Sequence, residues 1–385
     1  MNTFTNNNHI RFIHGGKEFF RLLIKLIDSA QHVIHFQTYI FSDDKTGNLV
    51  ADALIRAANR KVNIYMLLDG YASQSLPGAF VNKLKEAGIQ FRFFAPLFAS
   101  QHFYFGRRLH HKVVVVDGIH SLVGGINISD RYNDLPDQKA WFDVAIYAEG
   151  EVSVELHRIC INLWSKRKVK QINLPDNYSE KLKHISVKKL SSVRIRRNDW
   201  VKRKLEITKL YVAFLRNSKE SVTIVCSYFL PGVTFRKGIK LAIKRGVSIK
   251  VVLTGLSDIP IAKYAERYLY RWMLRNKVEI YEYQPTVLHA KMAIVDKEKV
   301  TIGSYNVNNI SEYASIELNL EVNDKSFAEK IQKEVENIMT KDCIFINSST
   351  YKVRFFSIKQ FLQWSSYQFI RLILTISTFY FKQKE

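Results

Sequence analysis

Apolar β-branched runs alternate with amphipathic stretches of helical length along this chain, and the alternation is written twice in the same order. Residues 33–41 (VIHFQTYIF) predict a buried strand, 47–60 a helix and 62–70 a second strand. In the second half, residues 222–230, 235–245 and 247–255 predict strand, helix and strand again. Local texts correspond as well: Tyr39-Ile40-Phe41 against Tyr228-Phe229-Leu230, and Arg60-Lys61-Val62 against Arg245-Gly246-Val247. Such units imply an α/β architecture in which sheets are covered on both faces.

The doubling extends to residues that carry chemistry. His110, Lys112 and Asp117 form H-x-K-x-x-x-x-D, and His289, Lys291 and Asp296 repeat it. Asn127 and Asn306 each follow their Asp by ten positions (127 − 117, 306 − 296), in Gly124-Gly125-Ile126-Asn127 and Gly303-Ser304-Tyr305-Asn306. The valines at 113–116 suit a central strand, which places His110 at its start. Strand side chains alternate, so His110 and Lys112 then point to one side, and this explains the H-x-K spacing.

Each copy predicts a later polar strand. Asp143, in residues 141–145, follows His110 by 33 positions (143 − 110), and Glu321 follows His289 by 32 (321 − 289). The near match makes Asp143 and Glu321 candidates for orienting one imidazole each. Ser315, Glu317, Asn319 and Glu321 share one strand face, and the plain alternative is a solvated face.

The 385 residues allow two domain-sized cores, and 47% are hydrophobic. The formal charge of +23 is an argument about partners: nucleic acid, an anionic membrane surface or an anionic substrate. Cys160, Cys226 and Cys343 form no C-x-x-C pair and read as reduced residues of a cytoplasmic protein. Residues 1–8 are polar, unlike a signal peptide, and no uncharged apolar run reaches the ~18 residues of a spanning helix. A basic stretch, residues 166–197, reads as the connection between halves. The tail from Tyr351 is aromatic and apolar, with Arg371 the one charge in residues 364–381. Its two readings are an interfacial anchor and a helix docked on the protein's own core.

Two His, two Lys and two Asn related by a pseudo-two-fold suit a phosphodiester. One imidazole attacks phosphorus and the other protonates the leaving alkoxide, while Lys112, Lys291, Asn127 and Asn306 donate to the phosphoryl oxygens. No metal or cofactor is called for. Asp117 and Asp296, at the ends of their strands, read as structural or as direct participants in catalysis.

These residues resemble the phospholipase D superfamily, whose defining pattern is the His110/Lys112/Asp117 and His289/Lys291/Asp296 doublet, and within it bacterial cardiolipin synthases. Residues 39–47, Arg131-Tyr132, Trp141-x-Asp143, Tyr228-Phe229-Leu230-Pro231 and Leu318-Asn319-Leu320-Glu321 widen the likeness. The resemblance implies an α/β fold of two pseudo-symmetric lobes, each a mixed sheet flanked by helices, sharing one active site. The lobes are expected at residues 1–185 and 186–349, with a tail at 350–385. It further implies a phosphatidyltransferase that makes cardiolipin from phosphatidylglycerol through a phosphohistidine, His110 being the nucleophile and His289 the acid. The expected partners are anionic phospholipid and the membrane surface, reached peripherally from the cytoplasmic face. The oligomeric state is left open. The alternative is a phosphodiesterase, on lipid or nucleic acid, with water as acceptor; no base-reading module supports nucleic acid.

The chain departs from the family in three ways. It lacks the paired N-terminal spanning helices of many members. It has Val307-Asn308-Asn309 where an Asp and an Arg are usual. Its stretch from Asn306 to Glu321 is longer, which makes Glu317 a rival to Glu321.

Overall fold

The computed structural model describes residues 3–96, 107–167, 190–347, 349, 351 and 357–382. Two mixed sheets, each flanked by helices, form two lobes that meet face to face. The first lobe comprises β1 (Asn8–His14), α1 (Lys17–Ser29), β2 (Val33–Thr38), α2 (Lys45–Asn59), β3 (Asn63–Asp69) and α3 (Gly78–Glu86). It continues through β4 (Gln90–Phe94), β5 (Arg108–Leu109), β6 (Lys112–Val116), β7 (His120–Gly124), β8 (Val144–Gly150) and α4 (Glu151–Trp164). Its sheet order is β1-β8-β7-β6-β2-β3-β4, so the valine strand β6 is central, as its composition predicts.

The second lobe opens with β9 (Ser192–Asp199), β10 (Lys204–Leu205), α5 (Glu206–Asn217), β11 (Ser221–Cys226), α6 (Val233–Lys244), β12 (Ser248–Thr254) and α7 (Pro260–Arg275). It closes with β13 (Glu279–Tyr283), β14 (Lys291–Val295), β15 (Lys299–Gly303), α8 (Asn309–Tyr313), β16 (Ser315–Asn323), α9 (Lys325–Lys341) and β17 (Cys343–Ile346). The order β10-β9-β16-β15-β14-β11-β12-β13-β17 repeats the first sheet's central pattern. In both lobes the motif strand is antiparallel to the strand that opens the βαβ unit: β6 to β2, β14 to β11. A tail helix, α10 (Ile358–Lys382), packs on α7.

Alternation along the motif strands explains why every position after the lysine is apolar. Val114 and Val116 face the first lobe's own helices, while Val113 and Val115 enter a core shared with Met292 and Ile294 of the other lobe. Ala293 and Val295 turn back to the second lobe's helices. Each of Val113, Val115, Met292 and Ile294 contributes about 1.5–3 kcal/mol on burial, and together they form part of a hydrophobic interface that holds the lobes.

Two expectations need correction. Residues 192–197 of the basic stretch are not linker: they lie in β9, a sheet strand paired with β16. Residues 168–189, with the expected 185/186 boundary, lie outside the described residues. The polar face of β16 is not solvated, because Ser315, Glu317, Asn319 and Glu321 are all buried. Among the described residues, no helix is long and apolar enough to cross a membrane.

Candidate active site

Each motif histidine sits two residues ahead of its strand, where the chain is clamped by the other lobe. The backbone N–H groups of His110 and His111 both donate to Ile316 O at 3.0 Å, and β5 pairs in parallel with the start of β16. The second copy mirrors this. His289 and Ala290 N–H donate to Phe142 O at 2.7 and 3.1 Å, and Phe142 N–H donates to Val287 O at 2.9 Å. Backbone pairing across the lobes therefore fixes both imidazoles before any side chain contributes.

The carboxylates are exchanged in the same way. His110 Nδ1 bonds Glu317 Oε2 at 2.9 Å, and His289 Nδ1 bonds Asp143 Oδ2 at 2.6 Å. Each half supplies the acid that orients the other half's imidazole and leaves its Nε2 directed at the site. Asp143 stands just ahead of β8 instead of inside a strand.

Glu321 does not hold the place the sequence suggested. It lies four residues beyond Glu317 on β16, roughly 13 Å along a strand. There it accepts from Arg194 (3.0 Å) and Arg196 (2.7 Å) and lines a cavity of about 200 Å³ with Asp296 and Lys299. Counting from the histidines assumed equal loops. Asn127 to Asp143 spans 16 positions (143 − 127), whereas Asn306 to Glu317 spans 11 (317 − 306).

The motif aspartates lie at the far ends of β6 and β14 from the histidines, and they do not reach the site. Asp117 accepts from the backbone N–H of Gln31, His32 and Val33 at 2.8–3.0 Å. Asp296 accepts from Lys219, Glu220 and Ser221 at 2.8–2.9 Å. Both sit at positive φ (53° and 50°) in the turn that ends the strand. They tie that turn to the segment entering β2 or β11, which corrects the catalytic reading of these two residues.

The lysines return to the site. Lys112 Nζ donates to His110 O at 2.5 Å and sits 5.0 Å from the Tyr39 ring centroid. Lys291 Nζ donates to His289 O, and to Ser227 Oγ at 3.1 Å. Asn306 Oδ1 accepts from Ser227 Oγ at 3.4 Å. Asn127 Oδ1 accepts from Ile40 N–H (3.1 Å), and its Nδ2 donates to Tyr132 Oη (2.8 Å), which lies 3.4 Å from His289 Nε2. In this arrangement Asn127 holds site residues with both ends of its amide, whereas the Asn306 side chain is held through its Oδ1. Tyr39 packs edge-on against His110 and Tyr132 edge-on against His289, which Trp141 also meets at a tilt.

Burial sets the protonation states. It draws Lys112 down to about 7 and lowers Lys291 too. Burial also lowers His110, against the pull of Glu317, and lowers His289 well below its ordinary value, with both lysines adding to the effect. An anion arriving among these groups would relieve that repulsion and restore their charges, which is the electrostatics of a phosphate site.

The two carboxylates differ. Burial raises Asp143 to about 7. Burial also pushes Glu317 upward, but His110, Lys112 and Ser304 outweigh it, and its carboxyl falls below the usual range. The cause is local. Ser304 Oγ and Ser315 Oγ both donate to Glu317. Gly125 is the counterpart of Ser304, and a Cβ there would meet Asp143 Oδ1 at 2.4 Å. Glycine thus admits Asp143, and serine holds Glu317 ionised.

Among the described residues, no three His, Cys, Asp or Glu side chains are grouped as metal ligands. His111, next to His110, is buried and bonded to Gln37 Oε1 at 2.8 Å.

Two lobes, crossed histidine–carboxylate pairs and flanking lysines define a duplicated phosphodiester site. The chain belongs to the phospholipase D superfamily: the family described as "Cardiolipin synthase, PLD-like domain" matches residues 23–164 and 211–339. Cardiolipin synthase B of Salmonella typhimurium is 31% identical over 346 residues, covering 89% of this chain and 83% of the relative. Cardiolipin synthase A of Pseudomonas syringae is 30% identical over 87% of this chain and 68% of the relative. The fold is shared with phosphatidylserine synthase of Haemophilus influenzae (TM-score 0.73, 15% identity, 96% of this chain and 95% of that one).

Proposed function

We propose that this chain is a phosphatidyltransferase that joins two phosphatidylglycerol molecules into cardiolipin and releases glycerol. The crossed pairs carry this reading: two imidazoles, one buried and one half-buried, each with Nδ1 committed to a carboxylate, leave two Nε2 atoms for one phosphorus. The names of the relatives supply the substrate class.

His110 is the nucleophile in this reading. Glu317 is held ionised, so it favours Nδ1–H and a basic Nε2 lone pair. Nε2 attacks phosphorus, the bond from phosphorus to the glycerol oxygen breaks, and a phosphatidyl-histidine forms. His289 Nε2–H gives its proton to the departing alkoxide. Asp143, with a pKa near 7, and His289 take up and release that proton as a pair at neutral pH. The second phosphatidylglycerol then loses a hydroxyl proton to His289, its oxygen bonds phosphorus and the P–N bond breaks. Two inversions give net retention at phosphorus. Lys112 and Lys291 neutralise the equatorial oxygens in both steps.

The test is product analysis with the full chain on phosphatidylglycerol vesicles, beside His110→Ala and His289→Ala. Cardiolipin and glycerol, absent in both variants, are expected. Phosphatidic acid as the main product would make water the acceptor and overturn the transferase reading.

A further inference from the structure

Helix α10 is packed inside out. Its docked side carries Gln360, Gln363 and Tyr367: Gln360 Oε1 and Gln363 Nε2 are closed off from solvent, and Tyr367 stacks on Tyr268 of α7 at 4.9 Å. Tyr351 Oη joins Gln363 Oε1 (3.2 Å) to Arg267 O (2.6 Å). Positions 358, 361, 362, 369, 372 and 373 fall on the opposite side of a 3.6-residue helix. All are large and apolar, and all are exposed, Ile358 by 82% and Phe361 by 63%.

A soluble helix normally buries its apolar stripe, so this surface is built for something outside the chain. On α7, the helix against which α10 packs, and in the loop before it, Leu256, Ile259, Ile261 and Tyr264 are exposed as well. That loop follows Thr254, whose Oγ1 accepts from Leu288 N–H at 3.1 Å, one residue from His289. Helix α10 also touches α8, which follows Asn306. The packing of α10 on α7 thus links the helix that carries the apolar stripe to the loop that leads from the site.

We propose that α10 and the start of α7 form one lipid-facing surface that seats the protein on an anionic bilayer with the site opening beside it. The choice of lipid rests on the phospholipid reading above, and charge supports it independently. No Asp or Glu occurs between Asp342 and Glu385, while Lys359 and Arg371 flank the apolar stripe. A second copy of the chain would bring another +23 and be repelled, whereas an anionic headgroup layer attracts it. The stripe lies in the interface plane and does not span.

The test is co-sedimentation of the full chain with phosphatidylglycerol–phosphatidylcholine vesicles, compared with Phe361→Glu, Leu372→Glu and the milder Phe361→Ser. These side chains are exposed, so thermal stability should hold. Vesicle affinity should fall by roughly tenfold or more in each Glu variant and by less in Phe361→Ser. Turnover of short-chain, monomeric phosphatidylglycerol should be unchanged. His110→Ala should bind vesicles like the parent, which separates docking from chemistry. If binding follows this pattern but no lipid is turned over, the surface stands and the transferase reading fails. Wild-type vesicle binding by stably folded Glu variants would overturn the surface, as would a dimer that the same substitutions dissolve without changing vesicle binding.

Discussion

Asp143, in the first half of the chain, holds the imidazole of His289, in the second, at 2.6 Å, and Glu317 returns the contact to His110 at 2.9 Å. Neither half contains a complete catalytic pair, so the site exists only while the lobes are packed together. Glu317→Gln and Asp143→Asn should each lower kcat by about 10³–10⁴-fold, the scale seen when an orienting carboxylate is neutralised. Steady-state turnover of phosphatidylglycerol checks this.

Glu321→Gln separates the two acids of β16. It leaves Arg194 and Arg196 poorly paired, so stability should drop by about 1–3 kcal/mol. Turnover per folded molecule should stay within about twofold of the parent, because Glu321 touches neither imidazole. Denaturant unfolding alongside kcat distinguishes the roles; a loss of kcat matching Glu317→Gln would contradict the assignment.

Gly125 has no room for a side chain. Gly125→Ala would push a Cβ into the Asp143 carboxyl and move it off His289. A displacement near 1 Å should cost about 10²-fold in kcat. The mirrored change, Ser304→Ala, removes a donor from Glu317 without a clash. It should cost less, about tenfold, by letting that carboxyl's pKa rise.

The motif aspartates act on stability. Asp117→Ala strips three backbone N–H groups of their acceptor and places alanine at positive φ, so we expect a loss of about 2–4 kcal/mol. Asp117→Asn keeps an acceptor and tolerates that φ, so it should cost less. In both, kcat per folded enzyme should change little, as measured by active-site titration.

The pH profile follows from the site's shifts. Lys112 and Asp143 both titrate near 7 in the free enzyme. Above that pH the lysine loses its charge and the Asp143–His289 pair its transferable proton, so kcat/KM should fall on the alkaline side, more steeply than for one group. Burial lowers the His110 pKa, so its imidazole stays neutral below pH 6.5, its ordinary value, and the acid limb of the proposed reaction should be displaced downward. Asp143→Asn should leave a shallower alkaline limb governed by Lys112.

The repeat, the lobes and the His–Lys pairs were legible because they rest on local rules: alternation places His and Lys together, and valines on both faces mark a central strand. The exchange of carboxylates was not legible. Asp143 and Glu317 meet histidines 146 and 207 positions away, and only the packing of two sheets decides which acid meets which imidazole. Equal spacing favoured Glu321 because the loop after Asn306 is five residues shorter than its counterpart (16 − 11). A signal was present in the Gly125/Ser304 difference, where the pseudo-symmetry is broken beside each acid. The tail divided evenly between anchor and docked helix; α10 is docked, and its apolar side faces out.

The most direct test of the account is to trap the covalent intermediate. The full chain is mixed with phosphatidylglycerol, quenched in denaturant at mildly alkaline pH, where a phosphoramidate survives and acid would cleave it, and digested for peptide mass mapping. The account predicts a phosphatidyl adduct on the peptide carrying His110, absent in His110→Ala and still formed, more slowly, in His289→Ala. An adduct on His289, or turnover to cardiolipin with His110 replaced, would contradict it.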